Sequence, residues 1–327
     1  MYFFSDRLVE HALTQFDLIN PSDSQNYFFE TFGPGNIQNT KDRPFERFSD
    51  YEDLLRLLEA RNKTKYDHIH KGTPFFFLSW LAFDLHNFEK ALYYLDAAIS
   101  EDVKNAGTGW KNLPGAKILK LSTEPYHVAS RVIQEIRKLL NNQLDRFNCI
   151  SGFPGITFDS FLEKFVVHLM EDPDTRTILS ALYVFLLEVP ERSTELYLKS
   201  TQGSSLGPII KHLFSGGLIF ESLLKHIYPT KDNGDPIKTL GNVFHTNTFR
   251  ADFGLEIQTS ADSLQNILSS INDDSLFTAF CTASKLRNTT GHNLIWDNIF
   301  QTPLNYEKLV NQILNALFYL IRKKFIE

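Results

Sequence analysis

Cysteine and methionine are scarce: Cys149 and Cys281 are the only cysteines among 327 residues, and there are two methionines. Two thiols cannot build a disulfide framework, and with no CxxC pair they match no zinc spacing, so the default is a reducing compartment. No run of 18 apolar residues occurs, which predicts no membrane span. The start, MYFFSDRLVEH, carries early acidic residues and lacks the apolar stretch of a signal peptide, so a cytoplasmic location is expected. There is also no surplus of positive charge. The formal net charge is −6, which gives no support to binding extended duplex DNA by phosphate neutralisation. A local basic site for a few phosphates of a single strand stays open.

Phenylalanine, by contrast, is abundant: 29 Phe stand beside 12 Tyr. Rings at this density fill helical cores, with a few surfaces for base stacking as the sharper alternative. The acidic excess is confined to one part of the chain. Residues 205–327 carry 11 acidic and 11 basic side chains, and residues 1–204 carry 28 against 22.

Apolar spacing predicts an all-α protein. After a stretch rich in Asn, Gly and Pro over residues 20–46, helices are expected from about Tyr51, over 74–102 as one buried helix, over 124–142, and as a packed pair around FLEKFVVHLM and TRTILSALYVFLLEV. The small polar tract TQGSSLG, 201–207, is the best boundary, dividing a mainly helical domain 1–204, of targeting or regulatory role, from a domain 205–327. In the latter, helices are expected over 206–228, 260–271, 274–294 and 305–325, with a loop over 230–254. In the last, Tyr306, Leu309, Val310, Ile313, Leu314, Leu317, Phe318 and Ile321 follow three-four spacing. Four such helices can bury a core of their own as a bundle.

The chemistry is expected at RNTTGH, 287–292. Leu276, Phe277, Phe280, Ala283 and Leu286 make an apolar face before it. Asn288 and His292 would stack at a four-residue spacing, whereas Arg287 and His292 would stand about 140° apart around an ideal helix. Bending at Gly291, or a second subunit, would bring all three to one cleft. Arginine offers a fixed fork of donors for phosphate oxygens, and histidine exchanges protons near neutral pH. RNA supplies its own nucleophile, the 2′-hydroxyl, so its cleavage requires only in-line positioning and charge stabilisation. Residue types alone favour a surface or capping role.

Arg287, Asn288 and His292, in SKLRNTTGHNL, resemble the active-site helix of the HEPN superfamily: arginine, a polar residue, three variable positions and histidine. The resemblance covers roughly 205–326. It implies a four-helix HEPN-like bundle and a metal-independent endoribonuclease of the kind found in toxin, abortive-infection and antiviral defence systems. It also implies no cofactor, RNA as the partner, and a homodimer whose two motifs face one cleft. By that resemblance Arg287 would stabilise the scissile phosphate, Asn288 would orient the site, and His292 would transfer protons or hold the phosphate. Glu221, in GGLIFESLLKHIYP, would be an acidic companion from another helix, against a plain solvent-facing reading. A protein partner or antitoxin would engage the N-terminal domain. The alternative class is a non-catalytic helical interaction or nucleotide-binding module.

Weaker signals are the HxH pair His68 and His70 near Asp67, a metal candidate short of ligands, and Lys111, Lys117 and Lys120, a small basic patch better read as solvated surface.

Overall fold

The computed structural model describes residues 6–23, 27–28, 44–122, 130–151, 155–198, 206–257, 259–291, 300 and 303–327. The protein is all-α. The described residues hold no strand, only an isolated antiparallel bridge between Thr230 and Pro236. They form two compact units, Met1–Ile133 and Gln134–Glu327.

The first unit contains α1 (Asp6–Leu18), α2 (Pro44–Arg61), α3 (Lys63–His68), α4 (Gly72–Asp84), α5 (Phe88–Ala106) and α6 (Pro114–Leu119). The single helix expected over 74–102 is two helices packed on each other, α4 and α5. The chain reverses at His86, whose φ of 55 is left-handed, and the Asn87 side chain then caps α5 by accepting the Lys90 N–H at 3.1 Å. Nothing in the apolar pattern marks that break, because hydrophobic residues run on through it. Ala91, Leu92, Leu95, Ala98 and Ile99 form the buried stripe of α5, and Phe48, Tyr51, Leu54, Leu55 and Leu58 that of α2.

The second unit begins within α7 (Ser130–Ser151), whose Ile136, Leu140, Leu144 and Phe147 are buried at helical spacing. Next, Phe158–Ser160, a π turn Phe161–Val166 and Val167–Met170 follow without interruption as α8. Then come α9 (Pro173–Leu198), α10 (Gly207–Ile227), the short α11 (Leu240–Phe244), α12 (Asn247–Phe253) and α13 (Leu264–Ser270), α14 (Leu276–Thr290) and α15 (Pro303–Ile321), with a terminal π turn Arg322–Ile326. Helices α9, α10 and α15 pack against one another, and α14 packs on α10 and α15. Residues 230–254, expected as a loop, contain α11 and α12.

The domain boundary expected at 204/205 therefore falls inside the second unit. Helix α9, assigned by sequence to the N-terminal domain, packs with α10 and α15, while the segment 260–271 yields only the short α13. The tract 201–207 that suggested the boundary lies largely outside the described residues.

Two devices hold these helices. Gly216 and Gly217 let α10 approach its neighbours closely: a Cβ on Gly216 would lie 2.5 Å from Phe185 Cε2 of α9 and 3.0 Å from Ile313 of α15, and one on Gly217 would lie 2.8 Å from Arg287 Cβ of α14. His212, also on α10, is buried. Its Nε2 bonds the Phe185 carbonyl at 2.9 Å, which makes Nε2–H the donor, and its Nδ1 accepts from the Tyr306 hydroxyl of α15 at 2.9 Å. The imidazole lies flat on the Phe185 ring, centroids 4.2 Å apart. Burial pushes its pKa down to about 4, the Phe185 bond opposing only in part.

A polar seam joins α7, the start of α14 and α15. Asn315 accepts from Arg146 at 2.7 Å and donates to Asp274 at 2.9 Å, while Gln312 donates to the same Asp274 carboxylate at 2.8 Å.

Candidate functional site

The helix that ends in the RNTT residues starts at an N-cap, Ser275, whose hydroxyl oxygen accepts the Thr278 N–H at 3.3 Å. Hydroxyls of Thr278 and Ser275, with the Ser275 N–H, hold the Asp273 carboxyl below the usual carboxylate range. Ala279, Phe280, Ala283 and Leu286 are buried, and Phe280 meets Phe220, Phe249 and Phe253 in one aromatic cluster. The expected apolar face is thus present, except that Phe277 is 48% exposed.

The polar end of α14 is tied down side chain by side chain. Arg287 sits where α14 crosses Gly217, and its Nε donates to the Glu221 carboxylate. Glu221, one turn beyond Gly217 on α10, is 3% exposed at its side chain and also takes Lys225 Nζ at 2.6 Å. One buried carboxylate therefore bridges two cations that are about a third exposed, Arg287 at 34% and Lys225 at 31%. This replaces the solvent-facing reading of Glu221: it faces Arg287. Arg287 Nη1 donates to Asn288 Oδ1 at 3.1 Å, and Asn288 Nδ2 donates to the Thr259 carbonyl.

The segment preceding α13 is docked to the same helix end. Thr289 donates its hydroxyl to the Asp262 carbonyl at 2.9 Å and accepts the Asp262 N–H at 3.0 Å. Hydrogen bonds from the Asn266 amide and the Ser263 N–H, then Lys285, hold the Asp262 carboxyl below its usual range.

Helix α14 ends at Thr290, with Gly291 as its C-cap, and does not run to 294 as expected. His292 lies outside the described residues. Three of the four sequence-derived site residues, Arg287, Asn288 and Glu221, are thus joined in one hydrogen-bonded cluster. Sequence reading missed Lys225 and Thr259. Lys225 was detectable as the i+4 partner of Glu221 on one helix face. Thr259 acts through its backbone carbonyl, for which residue type carries no signal.

Chemically, the cluster orients a guanidinium. Two of its N–H groups are engaged by Glu221 and Asn288, and among the described residues its Nη2 has no partner. Such a group, fixed along one edge and open along another, can take an anionic oxygen with little reorganisation.

The other sequence candidates separate. His68 Nδ1 bonds the Thr64 carbonyl at 2.6 Å whereas His70 Nε2 bonds Asp102 at 3.0 Å, so the HxH pair serves two different partners. No group of three or more His, Cys, Asp or Glu side chains able to hold a metal occurs among the described residues. Lys120 Nζ donates to the Lys111 carbonyl and Lys111 lies over the Trp110 ring, so these cations follow their local fold. Among the described residues no helix is long and apolar enough to cross a membrane.

No family model, curated protein or solved structure matches the chain.

Proposed function

We propose that the chain is a metal-independent endoribonuclease of the HEPN type, acting on single-stranded RNA in a cytoplasmic toxin or antiviral-defence setting. In this reading α9, α10, α14 and α15 make the catalytic bundle, and two copies of the chain pair to complete the site. The observation that carries it is the Glu221–Arg287–Asn288 cluster, which fixes a partly exposed guanidinium at the end of α14, five residues before His292.

The reaction needs no group beyond protein and RNA. The ribose 2′-oxygen attacks phosphorus, the P–O5′ bond breaks, and the products are a 2′,3′-cyclic phosphate and a 5′-hydroxyl. Arg287 stabilises the charge gathering on the phosphoryl oxygens. His292, from this copy or its partner, moves the proton between the attacking and leaving oxygens. Glu221 holds the Nε edge of Arg287, so that the remaining donors point in one direction.

The test is incubation of the full chain with mixed single-stranded RNA in EDTA. Cleavage leaving cyclic-phosphate ends is expected, with Arg287→Ala and His292→Ala each losing about 100-fold or more at unchanged secondary structure. Equal cleavage by both variants and the parent sinks the reading.

A second reading, a non-catalytic interaction module, is favoured by one feature: Glu221 pairs with Arg287 and Lys225 together, as a purely structural ion cluster would. Self-association or RNA retention with no turnover in the same assay supports it.

A further inference from the structure

The first unit contains a cavity that the nuclease reading does not use. It measures about 250 Å³, lies beside the start of α4, and is walled by Phe76, Phe77, Ala98, Leu113 and Pro114 with His70 and Asp102 at its polar side. The two polar residues form a pair: His70 Nε2 lies 3.0 Å from Asp102 Oδ1, with side-chain exposures of 23% and 10%. Gly72 makes the pairing possible, because a Cβ there would come within 2.6 Å of Asp102 Oδ1 and 2.8 Å of His70 Nε2.

A carboxylate beside one imidazole nitrogen fixes the tautomer. In the neutral ring Asp102 accepts from Nε2–H, and Nδ1 keeps its lone pair. Nδ1 has no hydrogen-bond partner among the described residues. His70 also lines a second, more polar cavity of about 410 Å³ with Ser22, His68 and Asn105. The ring thus stands where an apolar compartment meets a polar one.

We propose that this cavity is a binding site for a small, uncharged, planar aromatic molecule bearing one hydrogen-bond donor, with its ring among Phe76, Phe77 and Leu113 and its donor on His70 Nδ1. The size follows from the volume. A cavity of roughly 150 Å³ holds benzene, so about 250 Å³ suits a fused bicycle of about nine or ten heavy atoms. The aromatic character follows from the wall, where Phe76 and Phe77 meet edge to face at 5.7 Å and Phe77 stacks on Trp80 at 6.2 Å. The donor follows from the His70 tautomer. A donor-bearing ligand satisfies Nδ1, whereas a ligand with only an acceptor sets lone pair against lone pair.

The test uses the full chain with indole, which has a donor N–H, and benzofuran, its near-isostere with an acceptor oxygen instead. Binding is measured by calorimetry and located by magnetisation transfer from the His70 ring. Indole should bind the parent at least about tenfold more tightly than benzofuran. In Asp102→Asn the amide can donate to Nε2 and move the ring proton to Nδ1, so the preference should vanish or invert. This change of ratio is a readout that simple loss of packing would not produce.

The proposal is overturned by indole failing to bind up to its solubility limit, by equal affinity for the two ligands in the parent, by transfer from protons remote from His70, or by a preference unchanged in a folded Asp102→Asn. If Asp102→Asn does not fold, the indole to benzofuran ratio and the transfer pattern on the parent decide alone.

Discussion

Lowering the pH from 7 to 5 should cost the second unit about 2 kcal/mol through His212 alone. In the folded chain this imidazole is held neutral, its pKa pushed from 6.5 down to about 4, because burial penalises the charged ring and Arg192 repels it, the Phe185 carbonyl opposing only in part. The unfolded chain takes up the proton near pH 6.5 and the folded chain does not. Stability is therefore fully present above about pH 6.5 and is lost as the pH falls, until both states are protonated below about 4. At about 1.4 kcal/mol per pH unit the loss reaches about 2 kcal/mol at pH 5 and about 3 kcal/mol at pH 4. The control is His212→Gln, whose amide can donate to the Phe185 carbonyl and accept from Tyr306 but does not titrate. Native-state hydrogen exchange of α10 amides at the two pH values measures the difference, with other titrating groups common to both proteins. Parallel losses in parent and variant, or a His212 ring titrating near 6.5 in the folded chain, would refute the reasoning.

Other substitutions probe other contacts. Gly217→Ala places a methyl 2.8 Å from Arg287 Cβ and 3.0 Å from its Cα; the overpacking outweighs the gain in helix propensity, for a net loss of about 1 kcal/mol in urea unfolding and a shifted Arg287 Nε resonance. Asn315→Ala removes the link between Arg146 and Asp274 and should cost about 2–3 kcal/mol, while Asn315→Asp, which sets a second carboxylate beside Asp274, should be worse at neutral pH and partly recover on acidification. Arg287→Lys keeps the charge but loses the fork, so RNA cleavage should fall at least about tenfold with the melting temperature shifted by only a few degrees.

How much could be read from the sequence differed by element for physical reasons. Helix α15 was legible because Tyr306 to Ile321 repeat at three-four spacing and every apolar member of that stripe is buried. The break between α4 and α5 was masked by Leu85, which continues the apolar pattern; its only residue-type signals are His86, a type enriched at positive φ, and Asn87, a preferred N-cap. The membership of α9 in the second unit was equally hidden, since a helix apolar on several sides does not declare which neighbour it will cover. At the site, Arg287 and Asn288 were legible as a motif, and Glu221 as the acidic residue of a neighbouring apolar helix. Their geometry depended on Gly217, which sets how near α10 and α14 approach and carries no chemistry of its own. His212 sits in GPIIKHLFSGG like any helical histidine, and only its two partners, 27 and 94 residues away, reveal its role.

That role reaches the site. The two bonds of His212 fix where α10 stands along the axes of α9 and α15, since a slide by one residue, about 1.5 Å, would break both. Glu221 follows His212 on the same helix by nine residues, about 13 Å along the axis, so its height is set by an imidazole it never touches. Helices α9, α10 and α15 thereby act as one block with the carboxylate mounted on it. Helix α14 packs on both α10 and α15, so Arg287 meets that carboxylate at a height set by the same block.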